Sequence, residues 1–285
     1  MFKICAIVSS YYPNIDELET NILTYLPWVD HLIIWENTPN EVSELNRLVE
    51  KLNDQKLEIR TTGVNEYLAK PFNDCFKWAK EQGYSHVLAM DQDSKFDLHF
   101  PDFKNLISDN KDKSRAVFSS NTQVNESVLE STEVESAITS GSVFVVDYFC
   151  KLGMFNEDFL IDMIDVEYCL RARFNGFKVV RFNNIHLIHA RGYATKSVFG
   201  ITLNNYSALR TYYIIRNVIL TWKLFPEYKS VWRATSAKEK FKFYKYNVGY
   251  RLLKLIFEDF RLLKCKAIFL GVVHGHTLRK GKYDL

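Results

Sequence analysis

The chain has 285 residues, of which 47% are apolar and 15% aromatic, with a formal net charge of +3. This composition excludes a disordered or fibrous chain and allows one large core, or one core with an appended helical piece. The five cysteines, Cys5, Cys75, Cys150, Cys169 and Cys265, are odd in number and scattered, with no Cys-x-x-Cys pair, which argues against a disulfide frame or a zinc site.

Phe2 to Val8 lacks the basic start and cleavage site of a signal peptide, and the apolar run Ala267 to Val273 falls well short of the roughly 18 residues that span a bilayer. A cytoplasmic location is expected. The charge is uneven: from Pro226 onward 14 Lys and Arg face 5 Asp and Glu, a balance of +9, which leaves −6 on the first 225 residues. Nucleic acid is not expected as a partner, because these basic residues alternate with apolar and aromatic ones and do not form a solvated arm. An anionic membrane surface suits the pattern better, with the protein peripheral at the inner face of the cell membrane.

Strand-like runs recur at Lys3 to Ser9, His31 to Trp35, Leu57 to Thr61, His86 to Met90 and Ala116 to Ser119, with helix-like segments between the first four. That alternation predicts a mostly parallel sheet of βα units. Asn14 with Glu17 three residues on forms a capping pattern for the first helix, and another helix runs from about Phe72 to Gly83. Asn121 to Ser136, rich in Ser, Thr, Asn and Glu, reads as a mobile loop. Then come a strand from Thr139 to Val146, a short helix capped by Asp147, a helix through Asp165 ending at Gly176, and strands at Phe177 to Phe182 and Ile185 to Ile188. Beyond Ser207 the pattern is helical, first to about Phe225 and then from Ser236 to Leu263. In the second piece Phe241, Tyr244, Val248, Leu252 and Leu255 follow the spacing of one helical face.

The chemistry-bearing residues gather at the ends of these elements. Val87 to Ser94 reads Val-Leu-Ala-Met-Asp-Gln-Asp-Ser, so Asp91 and Asp93 leave the strand on one side, where a cation makes their summed charge tolerable. Ligands of open α/β sheets sit at the carboxyl ends of strands, which brings Ser9, Ser10, Tyr11, Glu36, Asn37 and Asp91 toward one crevice. Asp165 falls in the first turn of its helix, where free N–H groups favour an anion, with Val166 and Leu170 on the buried stripe. The alternative for that segment is a capping aspartate followed by a Glu167–Arg171 surface pair.

The Asp-Gln-Asp-Ser box at 91–94, Ile138-Thr139-Ser140-Gly141-Ser142, the Asp162/Asp165/Glu167/Arg171 helix, the strand ending at His189 and the helix carrying Arg210, Tyr212, Tyr213, Arg216 and Asn217 together resemble the rhamnosyltransferase branch of the inverting GT-A-type glycosyltransferases. The resemblance covers residues 1 to about 225. It implies a GT-A, Rossmann-like mixed and mostly parallel α/β sheet with flanking helices over 1–225, divided into a nucleotide-binding half at 1–110 and an acceptor and catalytic half at 111–225. Residues 226–285 add a basic amphipathic helical extension.

It further implies transfer of a sugar, rhamnose, from a nucleoside diphosphate donor such as dTDP-rhamnose to a saccharide or lipid-linked saccharide acceptor in surface-polysaccharide assembly. Ser10 and Tyr11 would cup the base, Glu36 would stand where an aspartate usually contacts base or ribose, Asp91 would face the ribose, and Asn73 and Arg210 would reach the donor. Asp93 would hold Mg2+ or Mn2+, with His189 as an extra ligand. Asp165 would be the general base, and Asp162 and Glu167 would bind acceptor hydroxyls. The sequence departs from the family pattern at Glu36, one methylene longer than aspartate, and before Asn73, where a glycine is missing. Two other readings remain: a non-catalytic sugar-nucleotide binding module and a transferase of another hexose. A nucleotidyltransferase is disfavoured because Ser9 to Pro13 contains no glycine-rich triphosphate loop.

Overall fold

The computed structural model describes residues 2–40, 43–97, 100–123, 129–189, 196–198, 201–228 and 235–283. The chain forms two compact units, one of Met1–Phe155 with Arg171–Ala190 and one of Asn156–Leu170 with Arg191–Leu285.

The first unit begins with the expected βα alternation: β1 (Ile4–Ser10), α1 (Ile15–Ile22), β2 (His31–Glu36), α2 (Ser43–Leu52), β3 (Leu57–Thr61), α3 (Ala69–Glu81) and β4 (His86–Asp91). Asn14 caps α1 by accepting from Glu17 N at 3.2 Å, as the capping pattern predicts. It continues through β5 (Ser94–Phe96), α4 (Phe100–Ser108), β6 (Arg115–Asn121), β7 (Ser131–Val134), β8 (Ser142–Val145), α5 (Val146–Lys151) and β9 (Lys178–His189). The sheet runs β3-β2-β1-β4-β8-β6-β9-β5, with β7 also on β9. Strands β1 to β4 pair in parallel, whereas β8 runs antiparallel to both β4 and β6, and β5 antiparallel to β9. The core beneath it is Ile4, Val8, Leu18, Ile22, Leu32, Ile34, Leu88, Met90, Phe103, Phe118 and their neighbours, all inward-facing members of strands and flanking helices.

Three local expectations change. Part of the stretch read as a loop between Asn121 and Ser136 is β7, held on β9 by the Ser131–Phe182 to Val134–Val179 register. Backbone pairing there outweighs a polar composition that alone says loop; residues 124–128 lie outside the described part. The two strands expected at Phe177 to Phe182 and Ile185 to Ile188 are one, because β6 pairs with both stretches, up to Ser119–Arg181 and again at Asn121–His186, across a register shift that contains Asn183 and Asn184. Asp147 lies inside the first turn of α5, and its predicted capping place is taken by Val145 without a side-chain cap.

The second unit contains the start of α6 (Ile164–Phe174), the pair β10 (Lys196–Val198) and β11 (Ile201–Leu203), α7 (Ala208–Leu224), α8 (Ala237–Tyr244), α9 (Tyr250–Lys254) and α10 (Arg261–His276). α10 packs closely along α7, and small residues make this possible. A Cβ at Gly271 would lie 2.9 Å from Ile215 Cβ, and one at Gly275 2.8 Å from Ile219 Cβ.

The single helix expected from Ser236 to Leu263 is broken. A π-helical turn at Lys245–Gly249 adds a residue and rotates the helix beyond it, a 3₁₀ turn spans Leu255–Phe257, and Phe260 takes φ 54° before α10 starts. The five-residue apolar face is therefore divided. Leu255 is buried and Tyr244 and Val248 pack beside Ile215, Ile219 and Phe243, while Phe241 and Leu252 are exposed. At the break, the buried Lys264 ammonium lies 2.9 Å from Glu258 and donates to Asn205 at 2.6 Å. Among the described residues, no helix is long and apolar enough to cross a membrane.

Candidate active site

In the first unit, the carboxyl ends of β1, β2 and β4 are adjacent by register, with Ser9 opposite Asp91 and Ser10 opposite Glu36. β4 ends at Asp91, and after Gln92 and Asp93 the chain enters β5, whose Ser94 pairs with His189 of β9. That antiparallel register carries His189 to the two aspartates although 95 positions separate it from Ser94. Asp91, Asp93 and His189 offer one ligand atom each, all within 4.8 Å of one another and all half-buried. His189 Nδ1 lies 2.6 Å from Ser94 Oγ and 3.4 Å from Asp93 Oδ1. Two carboxylates and an imidazole form an oxygen-rich set with one nitrogen, which suits Mn2+ well and Mg2+ acceptably.

The surrounding residues fix that box from three sides. Asp91 N donates to Ser140 Oγ at 3.0 Å, and Gly141 N to Ala89 O at 2.9 Å. Gly141 takes φ +72° with Leu187 methyls 2.8 and 2.9 Å from where a Cβ would stand, so the Ile138–Ser142 motif needs glycine on both counts. Gln92 exchanges two hydrogen bonds with the backbone of Tyr11, at 2.6 and 3.1 Å, and its own carbonyl accepts from Asn21 at 2.8 Å. Gln92, Asn21, Ser94 and Ser140 carry no titratable signal, and sequence reasoning missed them as individual residues. Three of them lie inside the motif boxes, which is the only sign they gave.

The nucleotide-side residues are held by hydrogen bonds to their protein neighbours. Ser10 Oγ donates to Glu36 at 3.0 Å, and Thr38 N donates to its other oxygen at 2.5 Å, so the buried Glu36 carboxylate braces the Ser10–Tyr12 turn. Tyr11 and Tyr12 are exposed and meet edge to face at 4.6 Å, an open aromatic surface of the kind that stacks on a base. Asn73 is buried in α3 and exchanges two hydrogen bonds with the backbone of Phe155, at 2.9 and 3.0 Å, which fasten the helix to that segment.

In the second unit, Asp165 is the second residue of α6, half-buried, with Oδ1 accepting from Val166 N at 2.8 Å. The turn before it is unusual: Leu160, Asp162 and Met163 have φ of 62, 58 and 66° with no glycine among them, at about 1–2 kcal/mol each. Asp162 receives both Arg210 Nε and Nη2, at 3.3 and 3.2 Å. Arg210 also lies 4.7 Å over the Tyr206 ring. Burial raises the Asp162 carboxyl above its usual range, and Arg210 pulls it partly back. The residue expected on the donor and the one expected on the acceptor are thus an ion pair.

Glu167 is buried in α6. Of the rest of the α7 motif, Tyr212, Tyr213, Arg216 and Asn217 are all buried, and the last two bind backbone carbonyls.

No protein-family model matches the chain. It is 27% identical over 239 residues to a dTDP-rhamnosyl transferase of Shigella flexneri, covering 76% of this chain and 79% of that one. Among solved structures it is similar to GalNAc-T7 with UDP, GalNAc and Mn2+ (TM-score 0.63, 10% identity, covering 97% of this chain and 56% of that one). It is also similar to a mannosyltransferase of Pyrobaculum calidifontis in complex with GDP-Man and Mn2+, with a TM-score of 0.61 and 10% identity over 97% of this chain and 88% of that one. A third is S. aureus TarS, with a TM-score of 0.53 and 14% identity over 96% of this chain and 55% of that one. The chain is rhamnosyltransferase-like in sequence and GT-A in fold, as its motifs imply.

Proposed function

We propose that this rhamnosyltransferase-like chain is a metal-dependent, inverting hexosyltransferase that moves rhamnose from dTDP to a saccharide or lipid-linked saccharide acceptor. The observation that carries the reading is the Asp91, Asp93 and His189 cluster at the end of β4, assembled by the β5–β9 register. Asp91, Asp93 and His189 would hold Mn2+ or Mg2+, whose charge would offset that of the departing nucleoside diphosphate. Tyr11 stacks on the base, and Asp91 faces the ribose.

Asp165 takes the proton of an acceptor hydroxyl as its oxygen bonds to the anomeric carbon. The bond from that carbon to the diphosphate oxygen breaks, and its electron pair leaves with the nucleotide. One displacement inverts the anomeric centre. Asp162, paired with Arg210, lies near the start of the same helix and is suited to orient the acceptor.

The reading extends to a cytoplasmic protein peripheral at the inner membrane face, engaged in surface-polysaccharide assembly. Its support is the basic excess after Pro226 together with exposed Tyr250, Leu253, Phe260 and Leu262 in the same region.

The test is a panel of nucleoside diphosphate sugars incubated with the chain and Mn2+, Mg2+ or chelator, with nucleotide release and the product anomer followed by NMR. Metal-dependent release from dTDP-rhamnose with an inverted product is expected. Binding of every donor without release under any metal would leave the non-catalytic module, and faster turnover of another hexose would reassign the sugar.

A further inference from the structure

Asn217 and Arg216 are adjacent, fully buried and turned toward one target. Arg216 Nε donates to Asn217 Oδ1 at 2.9 Å. A guanidinium only donates, so this contact fixes which end of the Asn217 amide is oxygen. Its nitrogen then faces three carbonyls, those of Phe159 at 2.9 Å, Ile161 at 2.7 Å and Asp162 at 3.0 Å. Arg216 Nη2 donates to Asp158 O at 2.5 Å, and Nη1 to Gly281 O at 2.6 Å. The carbonyls of 158, 159, 161 and 162 thus all terminate on two side chains of α7.

This segment is the one in which Leu160, Asp162 and Met163 take positive φ, and it leads directly into Asp165. Without glycine, such a backbone persists only where its surroundings over-determine it. The buried pair is one such restraint, acting on the backbone where Arg210 acts on the Asp162 side chain. It touches no part of the Asp162 or Asp165 carboxylates, so any effect it has on them runs through the backbone.

We propose that Asn217 and Arg216 are positioning residues that hold the 158–163 turn in its positive-φ form and so aim Asp162 and Asp165. The proposal rests on the reading of Asp165 as the base, but its structural half can be tested without that reading. The C-terminal tail takes part through Gly281, whose carbonyl fills the remaining arm of Arg216, and through Tyr283 N, which donates to Tyr213 Oη at 2.9 Å.

The experiment compares full-length wild type with Asn217→Ala, and with Asn217→Ser, which keeps one donor and guards against poor folding of the alanine variant. Three quantities are read on each: hydrogen–deuterium exchange of peptides covering 158–166, affinity for dTDP with Mn2+ by calorimetry, and nucleotide release from dTDP-rhamnose per dTDP-binding site. Expected are faster exchange confined to that segment, dTDP affinity within twofold of wild type, and release slowed about 10- to 100-fold in the alanine variant, with serine intermediate. A general loss of fold would instead speed exchange across β1 to β4 and reduce the number of dTDP sites. Wild-type exchange at 158–166, or wild-type release per site, in a folded variant overturns the proposal. If wild type itself releases no nucleotide, the catalytic reading fails and the exchange comparison alone decides whether the pair holds the turn.

Discussion

Ser94 Oγ lies 2.6 Å from His189 Nδ1, across a strand pair that brings the histidine to Asp91 and Asp93. The hydroxyl meets Nδ1, the ring nitrogen that also lies 3.4 Å from Asp93 Oδ1, and fixes the ring plane beside the two aspartates. Outer partners of this kind typically contribute 10- to 100-fold in metal affinity or activity. Ser94→Ala is therefore expected to weaken Mn2+ binding by about 10-fold, and Asp93→Asn to remove most metal-dependent turnover. Titration of the chain with Mn2+ in the presence of dTDP measures the first, and donor turnover in Mn2+ against chelator the second. Full turnover of wild type in excess chelator would end the metal assignment.

Asp165 acts on the acceptor in the proposed reaction and not on the donor. Asp165→Asn should then lower transfer by about 10²- to 10⁴-fold, the usual contribution of a general base, while affinity for dTDP with Mn2+ stays within a few-fold. Calorimetry and a single-turnover transfer assay separate these. Collapse of donor affinity together with transfer would make Asp165 a helix cap or donor contact.

The parts of this molecule that the sequence made legible are those with a short-range cause. Short apolar runs separated by helix-like segments located β1 to β4, Asn14 and Glu17 located the start of α1, and the Asp-Gln-Asp box located the strand end that carries two carboxylates. What escaped depends on pairing between distant segments. β7 is a strand because β9 lies beside it, and nothing in Ser131 to Val134 says so alone. Glu36 and Asn73 were expected on a ligand, but their partners, Thr38 with Ser10 and the backbone of Phe155, are visible only in three dimensions. The same holds for Arg216 and Asn217, whose residue types suit an anion site equally well until the carbonyls of 158 to 162 are placed against them.

Burial raises the Asp162 carboxyl above its ordinary value of 3.8, and Arg210 opposes the shift. The folded chain therefore binds this proton more readily than the unfolded chain. Stability from this group is greatest below 3.8 and falls as pH rises through the raised folded value. Asp162→Asn removes that dependence and keeps a residue type that accepts the left-handed φ. The melting-temperature difference, variant minus wild type, should narrow as pH falls from about 7 to about 4. A difference that stays constant, or widens toward acid, would mean that the Arg210 pairing outweighs the burial.

The region after Pro226 holds the last test. Its basic excess of +9 is not matched by an equally polar surface: Phe260 is 77% and Leu262 89% exposed, in a segment that also carries Lys254, Arg261 and Lys266. Apolar side chains in solvent beside several cations suit the interface of an anionic bilayer, where each engaged basic residue contributes about 1 kcal/mol and salt screens the attraction. Co-sedimentation with vesicles containing phosphatidylglycerol is expected to exceed that with pure phosphatidylcholine, and to weaken as salt rises from about 0.1 to 0.5 M. Substitution of Phe260 and Leu262 by serine should reduce pelleting without altering dTDP affinity, since neither residue packs in the interior of its unit. Equal, negligible pelleting with both lipids at low salt would remove the membrane from the proposal and leave these side chains to a protein partner.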